Sequence, residues 1–162
     1  MQRKVKVLFV CWGNICRSPM AEFVLKDMVQ KRGIADQFYI ASAATSTEEI
    51  WNGVGNPVYP PAQEELARHG ISCEGKRAVQ LKKSDYEKYD YIIGMEKINL
   101  RYMNGILGGD PEGKVSLLLD YADAPGDIAD PWYSGNFKAT WNDVVRGCEG
   151  FLNYLEKEGI LG

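Results

Sequence analysis

Residues 5–11, Val-Lys-Val-Leu-Phe-Val-Cys, form an apolar run that stops at a cysteine, and within six positions the sequence turns helical. A short apolar run bounded by a glycine-bearing loop reads as a buried strand. Trp12 to Cys16 makes the turn, and Arg17-Ser18-Pro19 opens an amphipathic pattern, with proline suited to a first helical turn. The fold must therefore hold Cys11 where a strand gives way to a helix. That geometry suits a dianion. Successive backbone N–H groups of a tight loop converge on one point, and the helix N-terminus adds its positive dipole. Arg17 brings a planar two-pronged donor for phosphate-like oxygens. The same field favours a thiolate at Cys11, which turns a weak nucleophile into a strong one.

Spacing alone is weak evidence, because an arginine falls six positions after any given cysteine by chance about 5% of the time. The loop composition carries more. Gly13 and Asn14 are the residue types that most readily enter left-handed backbone conformations, which a nest of N–H groups requires. Ser18 stands at the helix entrance with a hydroxyl available to the thiolate. Residues 12–18 (Trp12, Gly13, Asn14, Ile15, Cys16, Arg17 and Ser18) are thus the expected phosphate-binding loop.

Downstream, strand and helix patterns alternate. After the first strand, a helix over about 18–32 puts Ala21, Val24, Leu25, Met28 and Val29 on one stripe, and Gly33 ends it. Strands are expected at 38–43, 91–95 and 115–119. Helices are expected at 60–69, 96–104 and 137–157, and Ser84-Asp85-Tyr86-Glu87 reads as a capping box for a short one. Such alternation predicts an α/β fold with a doubly wound parallel sheet, its ligand at the carboxyl ends of the strands. With 162 residues and 45% hydrophobic content, a single domain spanning 1–162 is expected.

Net charge is −3, which argues against a general nucleic-acid or membrane-surface role and makes any anion site local. The apolar stretch after the basic start is broken by Lys6 and too short for a signal peptide or membrane span. Cys11, Cys16, Cys73 and Cys148 have neither the density nor the spacing of a disulfide scaffold or zinc site, so a reducing, cytoplasmic setting is expected.

A second chemical group is expected in the Pro-, Gly- and Asp-rich stretch 122–136, since long loops in compact domains are usually functional. Of Asp123, Asp127 and Asp130, only Asp130 is followed by Pro131-Trp132-Tyr133. Two aromatics beside a carboxylate desolvate it and favour its protonated form, as a general acid needs. The same rings would line a slot for an aromatic leaving group. His69, the lone histidine, closes the 60–69 helix before Gly70 and reads as a last-turn cap rather than a catalyst.

The string Val10-Cys11-x-Gly13-Asn14-Ile15-Cys16-Arg17-Ser18-Pro19-x-Ala21-Glu22 resembles the low-molecular-weight protein tyrosine phosphatases. Ser42-Ala43-Ala44-Thr45-Ser46, Gly55-Asn56-Pro57, Arg68-His69-Gly70-Ile71 and Asp130-Pro131-Trp132-Tyr133 extend the match across the chain. The resemblance implies a four-stranded parallel sheet with helices on both faces. It also implies hydrolysis of phosphotyrosine and aryl phosphates through a phosphocysteine, without metal or other cofactor. The partners would be phosphotyrosine-containing proteins and, at the site, inorganic phosphate or other oxyanions. Cys11, Arg17 and Asp130 would be the catalytic set, with Asn14 bracing the loop against Ser42 and Ser18 supporting the thiolate.

Trp12, Trp132 and Tyr133 would face the substrate. Trp51 lies where this chain carries extra residues relative to the family, and either a rim aromatic or an ordinary loop tryptophan fits it. The resemblance further implies a reversible Cys11–Cys16 disulfide that shields the nucleophile. Tyr133 is read as a candidate phosphorylation site, on its place in an exposed loop alone. Lys76-Arg77-Ala78-Val79-Gln80 departs from the family's usual His-x-Ala-Arg-Gln, so no role of that histidine carries over. Two rivals share the scaffold's logic: an arsenate reductase, which would need a further cysteine pair close together, and a non-catalytic phosphate-binding module, which would need no Asp130.

Overall fold

The computed structural model describes residues 4–161. Four parallel strands form the central sheet: β1 (Val5–Cys11), β2 (Phe38–Ala44), β5 (Tyr91–Gly94) and β6 (Val115–Leu117), in the order β2-β1-β5-β6. The chain leaves β1 to one side for β2 and returns to its other side for β5. The carboxyl ends of β1 and β5 therefore flank a switch point, where a crevice opens in such sheets.

Because side chains alternate along a strand, β1 feeds two cores. Val5, Val7, Phe9 and Cys11 pack with α1 (Arg17–Lys31), α2 (Pro60–Arg68) and α6 (Phe137–Lys157). Leu8 and Val10 point the other way, toward α3 (Asp85–Lys88) and α4 (Lys97–Leu107), through Tyr86, Met103 and Leu107. The helices thus cover both faces, as the doubly wound reading requires.

Several boundaries differ from the sequence expectation. The strand expected over 115–119 ends at Leu117 and coils into a 3-10 turn over Leu118–Tyr121, where the Asp120 carboxylate accepts the Leu117 N–H at 2.9 Å. The helix expected over 96–104 runs to Leu107 and stops at Gly108, whose φ of 78° suits glycine. The capping box at Ser84 does not form. Asp85 reaches back instead, its carboxylate accepting the Lys82 N–H at 2.9 Å. A small hairpin, β3 (Ile50–Trp51) and β4 (Val54–Gly55), lies between β2 and α2. Gly55 sits hard against the Ala78 backbone, where a Cβ would collide. A single helical turn, α5 (Pro131–Ser134), interrupts the long 122–136 loop.

Candidate active site

Cys11, at the last position of β1, is almost fully buried. Its Sγ lies 2.9 Å from Ser18 Oγ and accepts the Asn14 backbone N–H at 3.3 Å. Asn14 takes a left-handed φ of 58°, as the loop composition predicts. Its side chain is fully engaged: Nδ2 donates to Ser18 Oγ at 2.8 Å and to Ser42 Oγ at 2.9 Å, while Oδ1 accepts the Val79 N–H at 3.1 Å. Ser42 Oγ donates to Glu22 Oε1 at 2.5 Å.

The direction of each hydrogen follows from the chemistry of the partners. The Val79 N–H fixes which end of the Asn14 amide is oxygen, so Nδ2 can only donate. Ser18 and Ser42 must therefore accept from it. Ser42 spends its own hydrogen on the Glu22 carboxylate, and that of Ser18 is left for the Cys11 sulfur. The chain ends on two ammonium groups. Lys76 Nζ donates to Ser42 O at 3.1 Å and sits 3.7 Å from Glu22 Oε1, and Lys26 Nζ pairs with Glu22 Oε2 at 2.5 Å. Burial pulls the Lys76 ammonium below its ordinary range, against the opposing pull of Glu22.

Arg17 opens α1 and is only 2% exposed. Nη1 donates to Ile128 O at 2.8 Å; Nη2 lies 3.0 Å from Glu96 Oε1 and 3.6 Å from Asp130 Oδ2. Ile128 is itself tied to the sheet, its N–H donating to Met95 O at 2.9 Å. Glu96 was not among the sequence candidates. It lies two residues past the end of β5, at the carboxyl end of a strand beside the switch point, and that position was the available signal.

Asp130 caps α5, Oδ1 accepting the Trp132 N–H at 3.0 Å. Trp132 leans on Tyr59 with ring centroids 4.9 Å apart, and the Tyr59 N–H donates to Ile15 O at 2.8 Å. Tyr59 thereby joins the acid-bearing turn to the phosphate loop, a link that local sequence patterns do not reveal.

These groups meet in a cavity of about 360 Å³. Cys11, Gly13, Ile15, Cys16 and Arg17 form its floor; Trp12, Glu48, Glu49, Asp130, Trp132 and Tyr133 form its walls. Asn14, Ser18 and Ser42 lie behind the loop as its buried support rather than in the cavity. Trp51, for which the sequence left a rim aromatic and an ordinary loop tryptophan both open, is 79% exposed on the β3–β4 hairpin and is not among the residues that line the cavity. Glu48 and Glu49, just before that hairpin, form the wall on this side.

The Cys16 thiol is pushed up to about 12, first by burial and then by the negative charges of Cys11 and Asp130. It is protonated at neutral pH, and the donors of the loop point elsewhere: the Asn14 N–H and the Ser18 hydroxyl donate to the Cys11 sulfur. Cys73 and Cys148 are buried in the hydrophobic core, and burial pushes both thiols up. His69 stacks on Trp141 at 3.7 Å, with Nε2 2.9 Å from Glu65 Oε2, so it ties α2 to α6. Among the described residues no group of three or more His, Cys, Asp or Glu side chains is arranged to hold a metal ion. Among the described residues no helix is long and apolar enough to cross a membrane.

Known proteins resemble this chain in sequence and in fold. The family model for low molecular weight phosphotyrosine protein phosphatase matches residues 6–160. The low molecular weight protein-tyrosine-phosphatase YfkJ of Bacillus subtilis is 38% identical, with 97% of this chain and 99% of the relative covered. PtpA of Staphylococcus aureus is 32% identical, with 97% of each covered. The crystal structure of YfkJ superposes with a TM-score of 0.87, covering 96% of each chain. That of SP-PTP, a low molecular weight protein tyrosine phosphatase from Streptococcus pyogenes, gives 0.81 at 37% identity, covering 93% of each. On these grounds the chain belongs to the low molecular weight phosphotyrosine protein phosphatase family.

Proposed function

We propose that this chain, acting as one catalytic domain in the cytoplasm, hydrolyses phosphotyrosine in proteins through a phosphocysteine. The single observation that carries the reading is the shared cavity of Cys11, Arg17 and Asp130, with the Ser18 hydrogen directed at the Cys11 sulfur. The Cys11 thiolate attacks phosphorus in line. The P–O bond to the aryl oxygen breaks as Asp130 delivers its proton to that oxygen. The backbone N–H groups of residues 12–17 and the Arg17 fork hold the equatorial oxygens.

Arg17 enters this step already oriented by Ile128 O and Glu96, so little ordering of its side chain remains when the phosphoryl group arrives. Asp130, now a carboxylate, takes a proton from water as that water attacks phosphorus. The P–S bond breaks, phosphate leaves, and Ser18 donates to the returning thiolate. Trp12 on one wall and Trp132 and Tyr133 on the other suit a phenyl ring. Cys73 and Cys148, both buried in the core, do not supply the mobile thiol relay that arsenate reduction requires.

The test is turnover of 4-nitrophenyl phosphate and of a phosphotyrosine peptide by wild type and Cys11→Ser, each with and without a chelator. Wild type should turn over both substrates in either condition and the variant neither. Near-normal turnover by Cys11→Ser, or loss of wild-type turnover on chelation, overturns the mechanism.

A further inference from the structure

The cavity that receives the phosphoryl dianion has a wall of like charge. Glu48 and Glu49 line it together with Asp130, and among the described residues Arg17 is the one cationic side chain in the lining. Neither glutamate is a loose surface group. Glu48 Oε2 accepts the Trp12 indole N–H at 2.8 Å, which holds its carboxylate against the aromatic wall, and its own backbone N–H is held by Ser46 Oγ at 3.0 Å. Glu49 packs across the phosphate loop, its Cγ 3.2 Å from where a Cβ on Gly13 would stand. Its Oε1 accepts from Asn56 Nδ2 at 3.1 Å. Its charge reaches the floor of the cavity, where it raises the Cys16 thiol further.

Catalysis does not explain this wall. In the proposed mechanism the acid is Asp130, and carboxylates beside a dianionic substrate oppose its binding. Their presence fits a substrate that brings compensating positive charge next to its phosphate. We infer that Glu48 and Glu49 are specificity-determining residues that select phosphotyrosine flanked by lysine or arginine and reject acidic flanks. The inference rests on the proposed phosphotyrosine phosphatase reading and sharpens its substrate class. The phenyl ring occupies the space between Trp12 and Trp132. The flanking residues of the peptide then leave the cavity over the Glu48–Glu49 edge, where an ammonium or guanidinium meets two carboxylates, Glu48 exposed and Glu49 half-buried. Opposite-charge pairs of this kind change association and discrimination more than raw affinity, and they weaken with salt.

The experiment compares two phosphotyrosine peptides identical except for Lys or Glu at the residues beside the phosphotyrosine, with 4-nitrophenyl phosphate as an uncharged-flank reference. Wild type should favour the basic peptide by about tenfold in kcat/KM at low salt, falling to about two- to threefold near 0.5 M salt. The double variant Glu48→Gln/Glu49→Gln keeps an oxygen acceptor for the Trp12 indole and should shrink the low-salt ratio to about twofold or less. Glu49→Lys should invert it. Because each ratio is taken within one protein, a general loss of activity cannot mimic the effect. Wild type that hydrolyses the aryl ester and both peptides equally, or whose preference survives the double variant, overturns the inference and leaves the phosphatase reading intact. Wild type that hydrolyses neither the aryl ester nor either peptide overturns the phosphatase reading itself.

Discussion

The two ends of the cavity are built on opposite principles. The thiol end is a buried polar chain in which Asn14, Ser18 and Ser42 are each 1% exposed or less and every hydroxyl hydrogen has an assigned partner. The acid end is a single helical turn whose aromatics stand out, Trp132 at 57% and Tyr133 at 87% exposed, held by its own capping and backbone bonds, the 3.6 Å contact of Asp130 with Arg17 and the ring contact of Trp132 with Tyr59. The difference separates two tasks. The nucleophile is prepared before any substrate arrives, at the cost of burying polar groups that must all stay paired. The acid and the slot wall cost folding little and can adapt to what binds. Substitutions that break the buried chain of Asn14, Ser18 and Ser42 should therefore cost stability and chemistry together, and those at the second end should change chemistry or selectivity alone.

The largest effect tests the nucleophile. Cys11→Ser should lower turnover by at least about 10⁴-fold while the urea midpoint stays near wild type, since the replaced atom is small. A variant that unfolds instead would mean the sulfur is structural. Next is Asp130→Asn. Asparagine caps a helix as well as aspartate does, so α5 should persist while kcat falls by about 10²- to 10³-fold and the alkaline limb of the pH–rate profile disappears. An unchanged limb would move the acid role to another residue, with Asp127 next to test.

Asn14→Ala makes the contrast quantitative. It loses the left-handed tolerance and leaves Ser18, Ser42 and the Val79 N–H without their partner, an expected loss of about 2–4 kcal/mol in denaturant unfolding. Unchanged stability would show that the buried chain does not hold the loop. Trp132→Ala is the mirror experiment at the other end. The denaturation midpoint should hold, while kcat/KM for aryl over alkyl phosphates narrows by about tenfold.

The smallest effect concerns recovery from oxidation. If Cys16 resolves a sulfenic acid on Cys11, it must attack as a thiolate, and with its thiol near 12 only a small fraction is ionised at neutral pH. That fraction grows about tenfold for each pH unit below the pKa, so disulfide formation after a peroxide pulse should accelerate from pH 7 to 9. Cys16→Ser should abolish that acceleration, as followed by mass spectrometry. A pH-independent rate would leave Cys16 a packing residue.

The thiol end was readable in the sequence because its determinants are local. Cys11, Asn14, Arg17 and Ser18 fall within eight consecutive residues, and strand, loop and helix each have their own composition there. The alternating strand and helix patterns likewise carried the sheet, since the two faces of β1 bury alternate residues. The features that escaped are set by distant parts of the chain. Glu96 reaches Arg17 across 79 positions of sequence, and Tyr59 links Ile15 to Trp132. Glu48 and Glu49 carry no local signal of their own; the fold brings both to the cavity wall and sets Glu49 over Gly13. The β3–β4 hairpin pairs two residues with two, too few for periodicity to register.

Position 14 bears a double requirement. The backbone there favours glycine, asparagine or aspartate, and the side chain must donate twice from one end and accept from the other. Glycine meets the first demand and fails the second. Aspartate meets the first, but its second oxygen would face two hydroxyls without a hydrogen to give and would set a formal negative charge beside the sulfur. Glutamine carries the right amide but is too long and resists the left-handed backbone. The allowed alphabet at this site therefore shrinks to one letter, so a saturation library at position 14 should return a single functional amino acid, whereas a library at Trp132 should return several.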